Sequence, residues 1–490
     1  MNDTRADRPL LIASNRGPVS FSRSNGTLVA RRGGGGMVSG LSAAAEEMPM
    51  VWVCAALSDA DREAASSAPR GLLDLTETGG AAAVRMLSIP PEVFDSAYNR
   101  VANSTLWFVH HMLYDTPNQP SFGPVFTGEW DAFRQYNETF AEALAEAARQ
   151  AGSTGTRAVI QDYHLCLAPR MLADRIPGMP IAHFSHTPWA PPEYYRLLPW
   201  DVGREVLAGI LGADHAGFLN QRWADAFTDC CEALLGAKVD RDRRQVSYSG
   251  RVTSVGVHPL GVDAAQLRAR AAEPDVAEKM TALADASRDR RLIVRVDRTE
   301  LSKNIVRGLE AYRELLRAHP EWCGKVVHLA FAYPSRGDLP EYREYTAAVQ
   351  RLAAEIGAEF ATPGWDPVML EVNDDYPRSL AACRIADVLL VNPIRDGMNL
   401  VAKEAPILSD RGCALVLSTE AGAAAELGRY AFLVNPFDVE QTMQALHDAL
   451  IMTDKERASR CSALAVAASA IPPTRWLAQQ LDALDRQLAG

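Results

Sequence analysis

Cysteine is scarce in this chain, eight among 490 residues, too sparse for a disulfide framework. Most lie in apolar contexts such as Val53-Cys54-Ala55 and Gly412-Cys413-Ala414 and read as small buried hydrophobes. The adjacent Cys230-Cys231 pair has no CxxC spacing and no histidine partner nearby, so no metal site is expected. Long apolar runs are missing too. Nothing approaches the roughly 18 uninterrupted apolar residues that span a bilayer, and no membrane partner is expected. The opening stretch Met1 to Pro9 mixes both signs of charge and leads straight into a short apolar strand, unlike a secretory signal; a cytoplasmic location is the expectation. Basic charge is in deficit, 50 Lys and Arg against 61 Asp and Glu for a net charge of −11. That argues against general nucleic-acid binding, whose phosphate contacts need a basic face. It still admits an anionic substrate, since a few convergent arginines outweigh an acidic exterior. Internal repeats and Gly/Ser linkers are absent, so the parts of the chain are expected to be closely coupled.

What is present is enough chain for two domains, because 490 residues exceed what one hydrophobic core usually supports. The first half alternates short apolar runs with amphipathic stretches, the pattern of βαβ units around a parallel sheet. Leu10 to Ser14, Val51 to Ala55, Ala158 to Gln161 and Ile181 to Phe184 read as strands; Asp131 to Gln150 and Trp223 to Leu235 read as helices. The second half restarts the pattern, with strands at Leu292 to Val296, Val326 to Ala330, Val388 to Val391, Ala414 to Leu417 and Ala431 to Val434. The changeover is expected near Val257 to Val262, before a helical stretch from Ala264 to Ala286. The expected domains are 1–262 and 263–470, with a last helix at 471–490. Glu63 to Pro69, rich in serine and alanine, reads as a surface loop.

The run Val388-Leu389-Leu390-Val391-Asn392-Pro393 continues into Ile394-Arg395-Asp396-Gly397-Met398-Asn399-Leu400-Val401-Ala402-Lys403-Glu404. It reads as a buried strand, a tight loop and a helix N-terminus. Such a start offers unpaired N–H groups and the positive end of the helix dipole, which suit a diphosphate. Asp396 and Glu404 add carboxylates for sugar and ribose hydroxyls. The segment Arg395 to Glu404 resembles the donor-binding segment of the trehalose-6-phosphate synthases, retaining glycosyltransferases that use a nucleotide diphosphate glucose and glucose 6-phosphate. The resemblance implies an α/β fold of the GT-B type: two Rossmann-like doubly wound domains facing across a cleft, the first binding the acceptor and the second the nucleotide sugar. It places the last helix back on the first domain. Those two substrates are the implied partners, without cofactor or metal; a homo-oligomer stays open.

On the donor side the resemblance assigns the leaving diphosphate to Arg298 and Lys303, in Arg298-Thr299-Glu300-Leu301-Ser302-Lys303-Asn304. Family members often carry glycine where this chain has Asn304. In Gly33-Gly34-Gly35-Gly36-Met37, the implied donor contacts are Gly35 and Gly36, a flexible hairpin tip being the alternative. His186 is implied to touch the donor sugar, and Gly397, Met398, Asn399, Leu400, Val401 and Glu404 to line the donor. Arg298, Lys303, Asp396 and His186 form the expected catalytic set. Guanine presents two adjacent donors that a carboxylate accepts and uracil does not. Asp374 or Asp375 is therefore read as a guanine reader, and GDP-glucose as the donor, with UDP-glucose the alternative.

On the acceptor side Arg16 closes the first strand and Arg336 follows a strand of the second half, both at the sheet edges where ligands of open α/β sheets gather. The resemblance gives both to the phosphate of glucose 6-phosphate, with Tyr98, and gives Trp107 a sugar-stacking role and Asp162 the acceptor hydroxyls. Arg16 as a turn cap and Trp107 as core filler are the alternatives. Where family members have a second tryptophan after Trp52, this chain has Ala55, which weakens the acceptor assignment. The implied mechanism is same-face substitution, in which a departing phosphate oxygen takes the acceptor's proton. The rivals are a pseudo-glycosyltransferase joining a GDP-activated cyclitol to an aminocyclitol phosphate, and a non-catalytic sugar-phosphate sensor. A fused phosphatase domain is not expected, for want of chain after the second half.

Overall fold

The structure, a computed structural model, describes all residues except 1–8, 25, 33–37, 39–40, 42–48, 75–81, 153–154, 288–289, 338 and 490. The chain forms two units, Met1–Leu260 with Pro473–Gly490, and Gly261–Pro472. Among the described residues no helix is long and apolar enough to cross a membrane.

In the first unit, β1 (Leu10–Ala13), β4 (Met50–Ala55), β6 (Ala82–Leu87), β7 (Arg157–Gln161), β8 (Ile181–Ser185) and β9 (His215–Phe218) run parallel in the order β6-β4-β1-β7-β8-β9. β12 (Arg251–Val257) adds a parallel strand beyond β9, and β11 (Gln245–Tyr248) and β10 (Lys238–Asp240) continue antiparallel. At the opposite edge the short β5 (Leu73–Asp74) pairs antiparallel with β6. The central strands are mostly apolar and almost wholly buried because helices cover both faces. β2 (Val19–Ser24) and β3 (Thr27–Arg32) form a separate hairpin. Gly17 lies where a Cβ would sit 2.4 Å from the Cys54 sulfur, so the loop leaving β1 passes too close to β4 for a side chain. The helix Pro473–Ala489 packs on β8, β9 and β12, with fully buried Trp476 edge-on to Phe184 at 4.9 Å.

The stretch Glu63 to Pro69 corrects the loop expectation, since Asp59–Ser67 is a helix. Ser58 accepts from the Asp61 N–H while the Asp61 carboxylate accepts from the Ser58 N–H, a capping box that starts the helix.

In the second unit β13 (Arg291–Arg298), β14 (Val326–Tyr333), β15 (Val368–Glu371), β16 (Val388–Val391), β17 (Ala414–Ser418) and β18 (Phe432–Val434) are all parallel in the order β15-β14-β13-β16-β17-β18. The expected single helical stretch from Ala264 is two helices, Ala264–Ala271 and Pro274–Ser287, parted at Pro274, whose missing N–H and fixed φ suit a new first turn. Counted along the chain, the parallel strands follow the doubly wound order 3-2-1-4-5-6 in the second unit and the same order with β12 added as a seventh in the first. The reversal of order falls between β1 and β7 in one unit and between β13 and β16 in the other. At such a switch point the adjoining loops part and leave a crevice beyond the carboxyl ends of the strands.

Candidate functional site

The loops at the second unit's switch point carry the densest charge. β13 ends at Arg298, a single 3-10 turn covers Leu301–Lys303, and the helix Ile305–Ala318 follows. Between them Asn304 sits in the left-handed region at φ 57°. Asparagine tolerates that conformation, and here its amide donates to the Asn392 and Pro436 carbonyls at 2.9 and 2.7 Å, which explains how the chain does without glycine. The Lys303 ammonium reaches Asp396 at 2.6 Å across the switch point, both side chains being 14% exposed. Burial works against its charge, but Asp396, Glu300 and Asp297 outweigh it and raise the Lys303 pKa. Beneath, fully buried Arg295 pairs with Asp297 at 2.8 Å and donates to the Lys303 carbonyl, which holds the loop from below.

Glu300 is the residue that sequence reasoning missed. Its side chain is fully buried, and burial alone would push the carboxyl up. Arg298 at 3.2 Å, Arg336, Lys303 and the Ser335 hydroxyl instead hold it down to about 2. One carboxylate thereby gathers three cations that the sequence had divided between two substrates. Arg336 is also held by the Tyr342 hydroxyl at 2.6 Å and takes φ 45°. The available signal was Glu300's place midway in the Arg298 to Lys303 segment.

After β16 the chain turns through Asp396, which forms an isolated bridge to Ala421, and the helix begins at Val401, directly after the Gly397 to Leu400 stretch. Asn399 closes the turn before it. It takes φ 70°, its amide donates to Asp396 at 3.2 Å, and its oxygen accepts from the Ala402 N–H. Met398 is buried with its carbonyl bound to the Ala423 N–H, and the Leu400 carbonyl accepts from Glu404 N–H. Lys403 points into the core and pairs with Glu426 at 2.7 Å; burial lowers its pKa. Glu404, partly exposed on the same helix, is pushed up to about 7 by burial. Its charge also raises Tyr376 and Cys383, which places it beside the start of the helix Tyr376–Ile385. There Asp375 caps the helix through the Arg378 N–H and pairs with Lys279 at 3.2 Å, while Asp374 is exposed.

The first unit's switch point collects the remaining residues. Exposed Arg16 follows β1, its carbonyl accepting from the Ser14 hydroxyl at 2.6 Å. Asp162 follows β7 at φ 73°, a strained conformation for a residue with a side chain. Burial opposes its charge, but His164 and His186 hold the carboxyl down to about 2, and it accepts from the His186 N–H. The His186 ring meets Gln161 at 2.8 Å and burial lowers its pKa, so the imidazole is neutral near pH 7. Tyr98 lies in a π-helical stretch, Asp95–Leu106, and stacks on His164 at 5.4 Å. Trp107 is buried with its ring on His111 at 3.8 Å. Gln161 and His164 escaped sequence reasoning, since nothing local marks them. Gly35 and Gly36 lie outside the described residues.

Among the described residues one group has metal-ligand chemistry, His319, Glu321 and His447. The two imidazoles stack face to face at 3.6 Å and 12°, so their in-plane lone pairs do not converge, and the Trp322 N–H donates to His447. The geometry is that of a stacked pair.

The model of glycosyltransferase family 20 matches residues 8–486. The chain is 33% identical to a probable alpha,alpha-trehalose-phosphate synthase (UDP-forming) 2 of Arabidopsis thaliana over 94% of its own length, but spans only 55% of that protein. It is 30% identical to a validamine 7-phosphate valienyltransferase of Streptomyces hygroscopicus subsp. jinggangensis, covering 97% of this chain and 94% of the other. The solved structure of a UDP-forming alpha,alpha-trehalose-phosphate synthase from Burkholderia xenovorans superposes with a TM-score of 0.83 at 27% identity, over 98% of this chain and 99% of that one. The α/β fold with two Rossmann-like units is of the GT-B class.

Proposed function

The chain belongs to glycosyltransferase family 20, and from that premise we propose that it makes trehalose 6-phosphate from a nucleotide diphosphate glucose and glucose 6-phosphate. The observation that carries this reading is the cluster around Glu300 and Asp396, where Arg298, Lys303 and Arg336 stand at a Rossmann switch point. Cations fixed in advance at the place where negative charge develops lower the barrier without reorganisation. Arg298 and Lys303 take the diphosphate as it leaves. Asp396, which holds Lys303 in the free protein, turns to the donor sugar's hydroxyls when the phosphates arrive. Neutral His186 and Gly397 to Val401 complete the donor contacts, and Glu404 accepts from the ribose. Substitution on one face follows, with a phosphate oxygen taking the acceptor proton. Arg16, Tyr98, Trp107 and Asp162 of the first unit and Arg336 of the second keep their acceptor roles.

GDP-glucose is our favoured donor. The two synthases above are UDP-forming by name, whereas the exposed Asp374 carboxylate suits the paired donors of guanine. Asp375, engaged as a helix cap, supports the assignment less. Nucleotide release from GDP-, UDP- and ADP-glucose, with and without glucose 6-phosphate, tests the reading. Release that depends on glucose 6-phosphate is expected, fastest with GDP-glucose and reduced in Asp374→Asn. A preference for UDP-glucose overturns the base assignment alone. Absence of turnover with every donor overturns the whole reading in favour of a sensor, and turnover only with a cyclitol donor favours the pseudo-glycosyl alternative.

A further inference from the structure

Six of the eight cysteines, Cys54, Cys166, Cys230, Cys231, Cys323 and Cys383, have thiols that burial pushes up, Cys323 being the least buried of them. Cys413 and Cys461 form a different environment. Their sulfurs lie 3.8 Å apart, Cys413 just before β17 and Cys461 within the helix Asp454–Ala468. Gly412 makes this approach possible, because a Cβ there would meet the Ala458 Cα at 2.8 Å. Cys461 also faces a cavity of about 610 Å³, shared with Arg268, Ser409, Arg411 and Ser462. This cavity lies at the amino-end edge of β17, whereas the Glu300 and Asp396 cluster follows the carboxyl ends of β13 and β16.

We propose that Cys461 and Cys413 are a peroxide-oxidisable dithiol pair, with Cys461 as the attacking sulfur and Cys413 as the resolving one. The Cys461 thiolate attacks one oxygen of hydrogen peroxide, the O–O bond breaks, and the leaving hydroxide takes a proton to become water. Cys461 is then a sulfenic acid. The Cys413 sulfur attacks the Cys461 sulfur and expels its hydroxyl as a second water, so two thiols and one peroxide give one disulfide and two waters. The sulfurs must close from 3.8 Å to about 2 Å, a movement within reach of side-chain rotation. The surroundings favour this division of labour. Cys461 lines the cavity and so meets an incoming peroxide, whereas Cys413 does not line it, and the Arg457 guanidinium favours the thiolate of Cys461. Forming the bond removes the Cys461 hydrogen bond to the Pro406 carbonyl at 3.5 Å, a contact to the helix Val401–Leu408. A low-molecular-weight dithiol reverses the reaction by exchange.

The test uses the full chain at pH 7 with a few equivalents of hydrogen peroxide. The expected result is a mass loss of about 2 Da that a dithiol restores, with non-reducing peptide mapping that joins Cys413 to Cys461. In Cys413→Ala, dimedone should label Cys461; in Cys461→Ala, Cys413 should stay unlabelled. On the unmodified sequence, iodoacetamide should alkylate Cys461 at least about tenfold faster than Cys383, a readout that needs no variant to fold. Oxidation confined to the more exposed Cys323, or equal alkylation of Cys461 and Cys383, overturns the proposal.

Discussion

Replacing Glu404 with glutamine is expected to stabilise the protein at pH 8 and to leave it nearly unchanged at pH 5. Burial raises this carboxyl from its ordinary 4.5 to about 7 in the folded chain. Below pH 4.5 both folded and unfolded states carry the proton, and Glu404 contributes nothing to the difference. As pH rises the unfolded state releases its proton first, so stability falls between 4.5 and about 7 and levels off above. At about 1.4 kcal/mol for each pH unit the full loss is about 3 kcal/mol. That figure is a ceiling, because part of Glu404 reaches water. The neutral amide of the Glu404→Gln variant has no such titration, so the stability difference between variant and parent should be under about 1 kcal/mol at pH 5 and approach about 3 kcal/mol at pH 8. Urea denaturation of both proteins across this range measures it, and comparing the pair cancels every other titrating group. A difference that does not grow with pH, or a variant less stable at pH 8, refutes the argument that burial without a cation sets this carboxyl.

Three further outcomes follow from the same site. Lys303→Ala or Asp396→Asn alone leaves a buried charge without its partner and should cost about 3 kcal/mol; the double variant should cost less than the sum, and simple additivity in urea titrations removes the coupling. Asn304→Ala keeps the left-handed strain, about 1 kcal/mol, and loses two amide donors, whereas Asn304→Gly loses only the donors. The stability order Asn, Gly, Ala is therefore expected, and a glycine variant as stable as the parent shows that the bonds to Asn392 and Pro436 contribute nothing. Arg336→Ala should raise the KM for glucose 6-phosphate at least about tenfold while changing donor affinity much less. Equal losses on both substrates contradict the division of roles around Glu300.

The strands were legible because buried parallel strands are near-continuous apolar runs, and Val388 to Val391 is one in both sequence and structure. The pairing of Lys303 with Asp396 was less so: both residues were singled out, but their contact spans 93 positions and depends on strand order rather than on any local pattern. Glu300 was missed because a carboxylate between cations reads as a solvated surface ion, and only burial shows that it organises them. Composition misled at Glu63 to Pro69, where serine and alanine suggested a loop while Ser58 and Asp61 supplied the start signal of a helix. The helix after Asp396 starts at Val401 because Asn399 closes a turn before it, a detail of side-chain bonding that periodicity does not register.

The return of Pro473–Ala489 to the first unit bears on how the chain is made. Trp476 seals the faces of β8 and β9, yet it is separated from Phe184 by the whole of the second unit. During synthesis the ribosome therefore completes the later unit while the earlier one still shows an open apolar surface. The part translated first is the last to finish folding, and in that interval its bare sheet is where a chaperone would bind or aggregation would begin.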